Sequence, residues 1–198
     1  MLEIKDLLVN HTDDTLFSGV CFTLNAGEII HIQGANGSGK TTLLNVLTGI
    51  RTPDNGHVLF NGKSIYADLI NYTSNLCYVG HKTGVNQNLT ARNYCRFDLN
   101  IDTETCEKWL ENIGLLAHAD IPCRELSFGQ RRLISLLRLN KSFKPIWLLD
   151  EPFVGLDERA LQALVLQLKN HLQAAGRVIL TSHQTIPGAF THYSRYQL

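Results

Sequence analysis

The stretch "GANGSGKTT", residues 34–42, has the spacing G-x-x-x-x-G-K-[ST]. Glycines at these positions let the backbone bend tightly, so that successive N–H groups point toward a bound phosphate. We expect Lys40 to bridge the β- and γ-phosphates, the Thr41 hydroxyl to hold Mg²⁺, and a helix beginning at Thr42 to direct its dipole at the phosphates. A chance glycine turn is disfavoured, because an apolar strand precedes the motif and a helical pattern follows it. The residues predicted to bind nucleotide are Gly34, Ala35, Asn36, Gly37, Ser38, Gly39, Lys40, Thr41 and Thr42.

A second chemical motif is "IWLLDE", residues 146–151, an apolar stretch that ends in two acids. A carboxylate at a strand tip beside the phosphate loop is suited to hold Mg²⁺ and its waters, and we assign this role to Asp150. The adjacent Glu151 can polarise a water for in-line attack on the γ-phosphate. Pro152 restricts the backbone there and holds the direction of this acid. The alternative is that Glu151 is a solvated loop acid.

The stretch "ELSFGQRRL", residues 125–133, has the pattern of a second helix start with a hydroxyl and a glycine. Helix starts present backbone N–H groups to anions, so the chain carries two candidate phosphate sites. We interpret Arg131 and Arg132 as solvated or facing the surrounding helices rather than catalytic. The guanine-reading pattern N-K-x-D is absent, because "NKSF" at Asn140 has no aspartate.

These motifs must be positioned by the elements around them. The apolar strand "EIIHIQG" runs into the phosphate loop, and "HVLFNGKSI" predicts a hairpin with its turn at Asn61-Gly62. Residues 86–140 have helical patterns, with Thr103 at a capping position of one helix. After the acid motif comes a periodic helix that Gly176 is expected to stop, and then the buried strand "RVILTSH".

Strands that alternate with helices predict an α/β fold with a mainly parallel core sheet. We expect an antiparallel β part at the N-terminus and a helical lobe at about 86–140 inserted into the core, all within a single domain over residues 1–198.

Composition excludes several classes of function. The chain of 198 residues has 18 basic and 18 acidic residues, which leaves no electrostatic footprint for nucleic acid. The sequence has no apolar run long enough to span a membrane, and it lacks the features of a signal peptide. We therefore expect a cytosolic chain. The five cysteines and eight histidines are scattered, which predicts apolar filling by the cysteines and no structural zinc.

The order of the motifs decides between nucleotide-binding classes. "LSFGQ" is followed by the acid strand, by "VGLD" ending at Asp157, and by "TSH" ending at His183. Over nearly the whole chain, this order resembles the nucleotide-binding domain of ATP-binding-cassette (ABC) proteins, which are P-loop NTPases that use ATP and Mg²⁺. The resemblance implies that His183 contacts the γ-phosphate and that Asp157 couples two active sites in an ATP-bound homodimer. It also implies a signature that caps the partner's ATP, formed by Ser127, Phe128, Gly129 and Gln130. For His183, the alternative is a histidine at a strand end that is hydrogen-bonded within the fold and has no catalytic role.

Three positions depart from the pattern of that family. His81 stands where most members have a glutamine that reaches Mg²⁺ and water, and it is either a modified sensor or an exposed loop residue. Phe128 replaces the first signature glycine, which makes the surface bulkier but leaves Ser127 and Gly129 for the anion site. The adenine-stacking position falls near His11, with a surface-loop residue as the alternative.

Six stretches together narrow the resemblance: "TLFSGVCFTLNAGE", "YVGHKTGV", "LTARNYCRF", "LSFGQRR", "WLLDEPFVGLD" and "ILTSHQ". They look like the cytochrome c maturation ATPases, the CcmA or haem-exporter ATP-binding family. The resemblance implies a peripheral subunit on the cytoplasmic side of a bacterial inner membrane. Two copies would pair with CcmB-like membrane subunits, with a CcmC-like protein associated. ATP hydrolysis would drive haem export or release of the haem-loaded chaperone. Because C-x-x-C-H is absent, we expect any haem contact to belong to partners.

Other functions stay open at this stage. The chain could be the ATPase of another small exporter of lipid or antibiotic. A soluble ABC protein acting on ribosomes or DNA is less favoured, because tandem domains, long coiled-coil insertions and a basic patch are absent. A nucleotide-gated module without turnover is disfavoured because both Glu151 and His183 are present.

Overall fold

The computed structural model describes residues 1–11, 14–141, 143–183, 185–186, 190 and 193–198. Its strands and helices are interspersed, with three consecutive strands at the start and three consecutive helices in the middle. In chain order they are β1 (Leu2–His11), β2 (Asp14–Leu24), β3 (Ile29–Gln33), α1 (Lys40–Leu47), β4 (Asn55–Phe60), β5 (Lys63–Ser64), α2 (Leu69–Ser74), β6 (Leu76–Val79), α3 (Ala91–Phe97), α4 (Thr103–Asn112), α5 (Phe128–Leu136), β7 (Ile146–Asp150), α6 (Glu158–Gln173), β8 (Arg177–Thr181) and β9 (Ser194–Gln197).

The strands form two sheets. The first is antiparallel, with the order β2-β1-β4-β5, and its predicted hairpin turn is present at Asn61-Gly62, where both residues have positive φ. The second is parallel, with the order β6-β7-β8-β3-β9. The carboxyl ends of parallel strands meet at one edge of a sheet, so the loops after β3, β7 and β8 come together there. The predicted fold class is confirmed.

The chain divides into two compact units. The first comprises Met1–His81, Lys144–Pro152 and Val165–Leu198, and the second comprises Lys82–Phe143 and Phe153–Leu164. The predicted single domain with a lobe at about 86–140 stays a prediction. Within the described residues, we find no helix that combines the length and apolar character needed to cross a membrane.

The core of the first unit anchors the phosphate loop from both sides. Ile30 and Ile32 of β3 belong to the same buried cluster as Leu43, Leu44 and Leu47 of α1. Burying each such side chain contributes about 1.5–3 kcal/mol. The packing therefore fixes the strand before the loop and the helix after it.

The second unit has its own core and locally capped helices. Thr90 caps α3, since its side chain accepts from the N–H of Asn93 at 3.1 Å. The predicted capping by Thr103 is wrong: Asp102 is the N-cap of α4 and accepts from the N–H of Thr105 at 2.9 Å. This bond lowers the pKa of Asp102. An aspartate in extended backbone directly before the helix supplies the acceptor that a threonine inside the first turn does not.

Two helix boundaries differ from prediction. Helix α1 begins at Lys40 rather than Thr42, because Gly39 has φ 96° and leads the chain directly into the helix. Helix α6 ends at Gln173, and the residue with positive φ after it is Ala175 rather than Gly176.

The cysteines follow the predicted filling role with one exception. Cys77, Cys95, Cys106 and Cys123 are buried. Cys21 is exposed on β2, where its sulfur accepts from the N–H of Asp6 at 3.1 Å, so the prediction is wrong for this residue. Side chains alternate between the two faces of a strand, and Cys21 falls on the outer face.

Candidate active site

The phosphate loop joins a fully packed strand to the start of α1. Gly39 leaves no room for a side chain, because a Cβ there would lie 2.8 Å from Cδ1 of Phe17. Its φ of 96° is also one that side chains disfavour. Only glycine tolerates both the short distance and the positive φ at this position. With glycine there, the loop can bring its backbone N–H groups to the start of the helix.

The polar side chains of this loop fit an anionic ligand. The Lys40 ammonium is buried and donates to the carbonyl oxygens of Gly34 at 2.8 Å and Ala35 at 2.9 Å. An ammonium has three donors, so one more is available for a phosphate oxygen. Among the described residues, the buried Ser38 hydroxyl has no hydrogen-bond partner, which is costly unless a ligand satisfies it.

Asp150 is the centre of a hydroxyl–carboxylate cluster. Its Oδ2 accepts from the Thr41 hydroxyl at 2.8 Å, and its Oδ1 accepts from the Thr181 hydroxyl at 2.6 Å. The structure thus brings together Thr41 and Asp150, the two residues predicted to hold Mg²⁺. Hydroxyl and carboxylate oxygens are the ligands that Mg²⁺ prefers, so the residues present fit this metal.

Glu151 follows Asp150 in a left-handed backbone conformation, with φ 52°. Its N–H donates to the Thr181 hydroxyl at 3.0 Å and carbonyl at 3.2 Å. The side chain is only 9% exposed, so the alternative of a solvated loop acid is wrong. His183 faces this carboxylate: its N–H donates to Oε2 at 3.3 Å, and its Nε2 lies 3.4 Å from Oε1. The His183 side chain is 50% exposed, which leaves the ring accessible from solution.

In the second unit, Ser127 and Gln130 close a capping box at the start of α5. The Ser127 hydroxyl accepts from the Gln130 N–H at 3.2 Å, and Gln130 Oε1 accepts from the Ser127 N–H at 2.8 Å. This arrangement orients the hydroxyl by local bonds alone. Arg132 is buried and Arg131 donates to the carbonyls of Cys123 and Leu126, so both face the helical unit rather than solvent.

The signature also contacts the loop that contains Asp157. A Cβ at Gly129 would lie 2.3 Å from the carbonyl oxygen of Gly155, and a Cβ at Gly155 would lie 2.8 Å from Cδ1 of Phe128. The bulky Phe128 therefore packs on Gly155 while staying 44% exposed. Asp157 accepts from the N–H of Ala160 at 2.8 Å and so supports the start of α6.

The remaining two predicted positions lie at exposed places in the first unit. His11 is the last residue of β1, and His81 follows β6 after one glycine. Their proposed contacts with adenine and with the Mg²⁺-bound water stay predictions.

Comparison with known proteins decides the family. The family described as ABC transporter matches residues 17–154. A protein of Legionella pneumophila (strain Lens), called cytochrome c biogenesis ATP-binding export protein CcmA, is 40% identical over the full length of both chains. The protein of the same name in Escherichia coli (strain K12) is 41% identical over all of this chain and 96% of its own length. The chain belongs to the CcmA family of ABC transporters.

The predictions of an ABC-type ATPase and of a CcmA-type cytochrome c biogenesis subunit are thus confirmed at the level of the family. The CcmA-family fold is also that of solved cassettes: the dimeric structure of a bacterial ABC transporter cassette superposes with a TM-score of 0.83 at 19% identity, covering all of this chain and 94% of the other.

The site of this CcmA-family chain contains two residues that the sequence motifs did not predict. Thr181 bonds both acids, and His31 on β3 reaches the carbonyl of Ser182 at 3.0 Å. The available signal was a polar residue inside an otherwise apolar strand, in "EIIHIQ" and in "RVILT". Such residues are buried at a cost unless they are hydrogen-bonded, which marks them for attention.

Proposed function

We propose that this chain is the ATP-hydrolysing subunit of a complex for cytochrome c biogenesis, held as a peripheral subunit on the cytoplasmic side of a bacterial inner membrane. The observation that carries the proposal is the convergence of Thr41, Asp150, Glu151 and His183 at the ends of three parallel strands. A nucleotide on the phosphate loop would meet its metal ligands and its base in one place.

The first step is binding of ATP by the phosphate loop. Lys40 and the Ser38 hydroxyl would contact phosphate oxygens, and Thr41 with Asp150 would hold Mg²⁺. When bound, Mg²⁺ neutralises charge on the β- and γ-phosphates. The buried position of Lys40 strengthens its attraction for phosphate, because water screens a buried charge less.

Hydrolysis would use the carboxylate of Glu151 and the ring of His183. Glu151 polarises a water whose oxygen attacks the γ-phosphorus, and the bond to the bridging oxygen of ADP breaks as the new bond forms. The proton of the water passes to the carboxylate, and His183 contacts the γ-phosphate. The backbone N–H and the ring Nε2 of His183 both face Glu151. The carboxylate and the imidazole ring are therefore oriented together.

A homodimer would complete the site in the ATP-bound state. Each signature, residues 127–130, would cap the γ-phosphate that the partner binds. The Ser127 hydroxyl accepts a bond within its capping box, and its own hydrogen remains for donation to a phosphate oxygen. Asp157 would couple the two sites, and His81 would sense Mg²⁺ and the water in place of a glutamine.

The partners we propose are membrane subunits of the CcmB type, with a CcmC-like protein associated. ATP hydrolysis by this chain, coupled to those subunits, would drive either haem export or release of a haem-loaded chaperone. We place any haem contact on those partners. Deleting the gene should abolish c-type cytochromes, and complementation by the natural gene should restore them. Normal c-type cytochromes after deletion would contradict this role, and affinity purification from membranes tests the proposed partners.

The sharpest test of the chemistry is Glu151→Gln. This change keeps the size of the side chain but removes the base, so ATP should bind, hydrolysis should stall, and an ATP-bound dimer should accumulate. Glu158→Gln, at the exposed start of α6, is the matched control and should leave hydrolysis unchanged. A normal rate of hydrolysis in Glu151→Gln would show that another group acts as the base.

A further inference from the structure

His31 is a buried polar residue in the middle of an apolar strand, and the roles assigned above do not use it. Its Nε2 lies 3.0 Å from the carbonyl oxygen of Ser182. A carbonyl can only accept, so Nε2 must carry the hydrogen. The other ring nitrogen, Nδ1, lies 3.4 Å from Nε2 of Gln33 and accepts from it. Burial lowers the pKa of His31, against an opposing effect of the Ser182 carbonyl, which keeps the ring in this neutral form.

The carbonyl that His31 holds belongs to the peptide between Ser182 and His183. The N–H of that same peptide donates to Oε2 of Glu151 at 3.3 Å. The peptide is planar and trans, so its carbonyl and its N–H point in opposite directions and turn together. A bond that fixes the carbonyl therefore fixes the direction of the N–H.

Glu151 depends on this segment more than an ordinary carboxylate would. Its backbone is in a left-handed conformation that costs energy and must be held by its surroundings. Thr181 holds its N–H, and the Ser182–His183 peptide holds its carboxylate. Hydrogen bonds in such a chain also polarise one another, which strengthens the last bond to the carboxylate.

We propose that His31 is a positioning residue for ATP hydrolysis. By holding the Ser182 carbonyl, it turns the Ser182–His183 peptide so that the N–H aligns the Glu151 carboxylate and the chain carries the His183 ring beside it. This inference rests on the proposed role of Glu151 as the base. Because His31 is not among the residues assigned to ATP, its loss should lower kcat and leave KM for ATP nearly unchanged.

Three substitutions separate the donor from the ring. His31→Phe keeps a ring without a donor, and His31→Gln keeps an N–H donor with similar reach. His31→Asn has a donor on a shorter side chain that does not reach the Ser182 carbonyl. We expect kcat to fall about tenfold or more in the Phe and Asn variants, and to recover within about threefold of the natural protein in the Gln variant. Should Phe fail to fold, the Gln and Asn variants decide: equal kcat values in the two would overturn the proposal.

A control and a spectroscopic readout exclude a purely structural effect. His171→Phe replaces another buried histidine of the first unit and should leave kcat unchanged at pH 7.5. In ¹⁵N-labelled protein, the amide resonance of His183 should shift in His31→Phe and stay near its natural position in His31→Gln. An unchanged His183 resonance in His31→Phe would overturn the proposal.

Combination with Glu151→Gln distinguishes failure of this inference from failure of the proposed function. In the Glu151→Gln background, adding His31→Phe should change the residual rate by less than about twofold, because both changes act through one carboxylate. If Glu151→Gln stalls hydrolysis but His31→Phe does not, only the role of His31 is wrong. If Glu151→Gln hydrolyses ATP normally, the assignment of the base itself is wrong.

Discussion

The hydroxyl of Thr41 and the carboxylate of Asp150 lie 2.8 Å apart, although the two residues are 109 positions apart in the sequence. One residue comes from the start of α1 and the other from the end of β7. Their contact joins the phosphate-binding motif to the acid motif and defines where Mg²⁺ is expected to bind. The other carboxylate oxygen is held by Thr181, so the acid is oriented from both sides.

The first prediction concerns this metal site. Asp150→Asn keeps the size of the side chain but removes its charge, so Mg²⁺-dependent hydrolysis should fall by at least about a hundredfold, of the order expected for losing a charge-stabilising group. Chelation of Mg²⁺ should abolish hydrolysis in the natural protein. Asp98→Asn, an exposed residue at the end of α3, is the control and should keep normal turnover. Substantial hydrolysis by Asp150→Asn with Mg²⁺ would contradict the assignment.

The second prediction concerns Thr181, which orients both acids. Thr181→Val keeps the shape but removes the hydroxyl that bonds Asp150 and the N–H of Glu151. Losing these buried bonds should lower the free energy of unfolding by about 1–3 kcal/mol and reduce kcat. Thr181→Ser retains the hydroxyl and should keep most of the activity. Urea denaturation measures the free energy of unfolding, and ATPase assays measure kcat. Equal values of both quantities in the Val and Ser variants would contradict the role of the hydroxyl.

The third prediction concerns the contact between Phe128 and Gly155. Gly155→Ala should strain a backbone with φ 78° and also push a methyl group into the Phe128 ring. Gly114→Ala is a matched control in the same unit, because Gly114 has φ 72° but no atom of the described residues lies within 4 Å of a new Cβ. The free energy of unfolding should therefore fall by about 1 kcal/mol in the control and by clearly more in Gly155→Ala. Adding Phe128→Ala should restore part of the difference. An equal loss of unfolding free energy in the two variants would show that the Phe128 ring does not restrict the side chain at position 155.

The fourth prediction concerns pH and His171, which stacks on Trp147 with ring centroids 3.7 Å apart. Burial lowers the pKa of His171 from 6.5 to about 4. Between these values the unfolded chain takes up a proton that the folded protein does not. The free energy of unfolding therefore keeps its full value above pH 6.5. It decreases as the pH falls toward 4, by up to about 3 kcal/mol. His171→Phe keeps a stacked ring that does not titrate, so its unfolding free energy should depend less on pH over this window. Parallel pH profiles for the two proteins would contradict the prediction.

The sequence by itself determined the features that depend on neighbouring residues. The loop ending at Lys40, the helix start after Ser127 and the hairpin turn at Asn61-Gly62 each depend on a few adjacent residues, so local patterns predicted them. The apolar strands that alternate with helices likewise predicted a parallel sheet. The order of motifs predicted the ABC class, and six stretches of sequence taken together predicted the CcmA family.

Only the tertiary structure decided which distant residues meet. Asp150 lies beside Thr181 because β7 and β8 pair in one register, and a shift of one residue would turn the Thr181 side chain to the opposite face of the sheet. His31 reaches Ser182 through the pairing of β3 with β8. The contact of Phe128 with Gly155 likewise depends on how two loops pack. Register and packing arise from the whole buried core rather than from any short pattern, so the partners of these residues could not be read from the sequence.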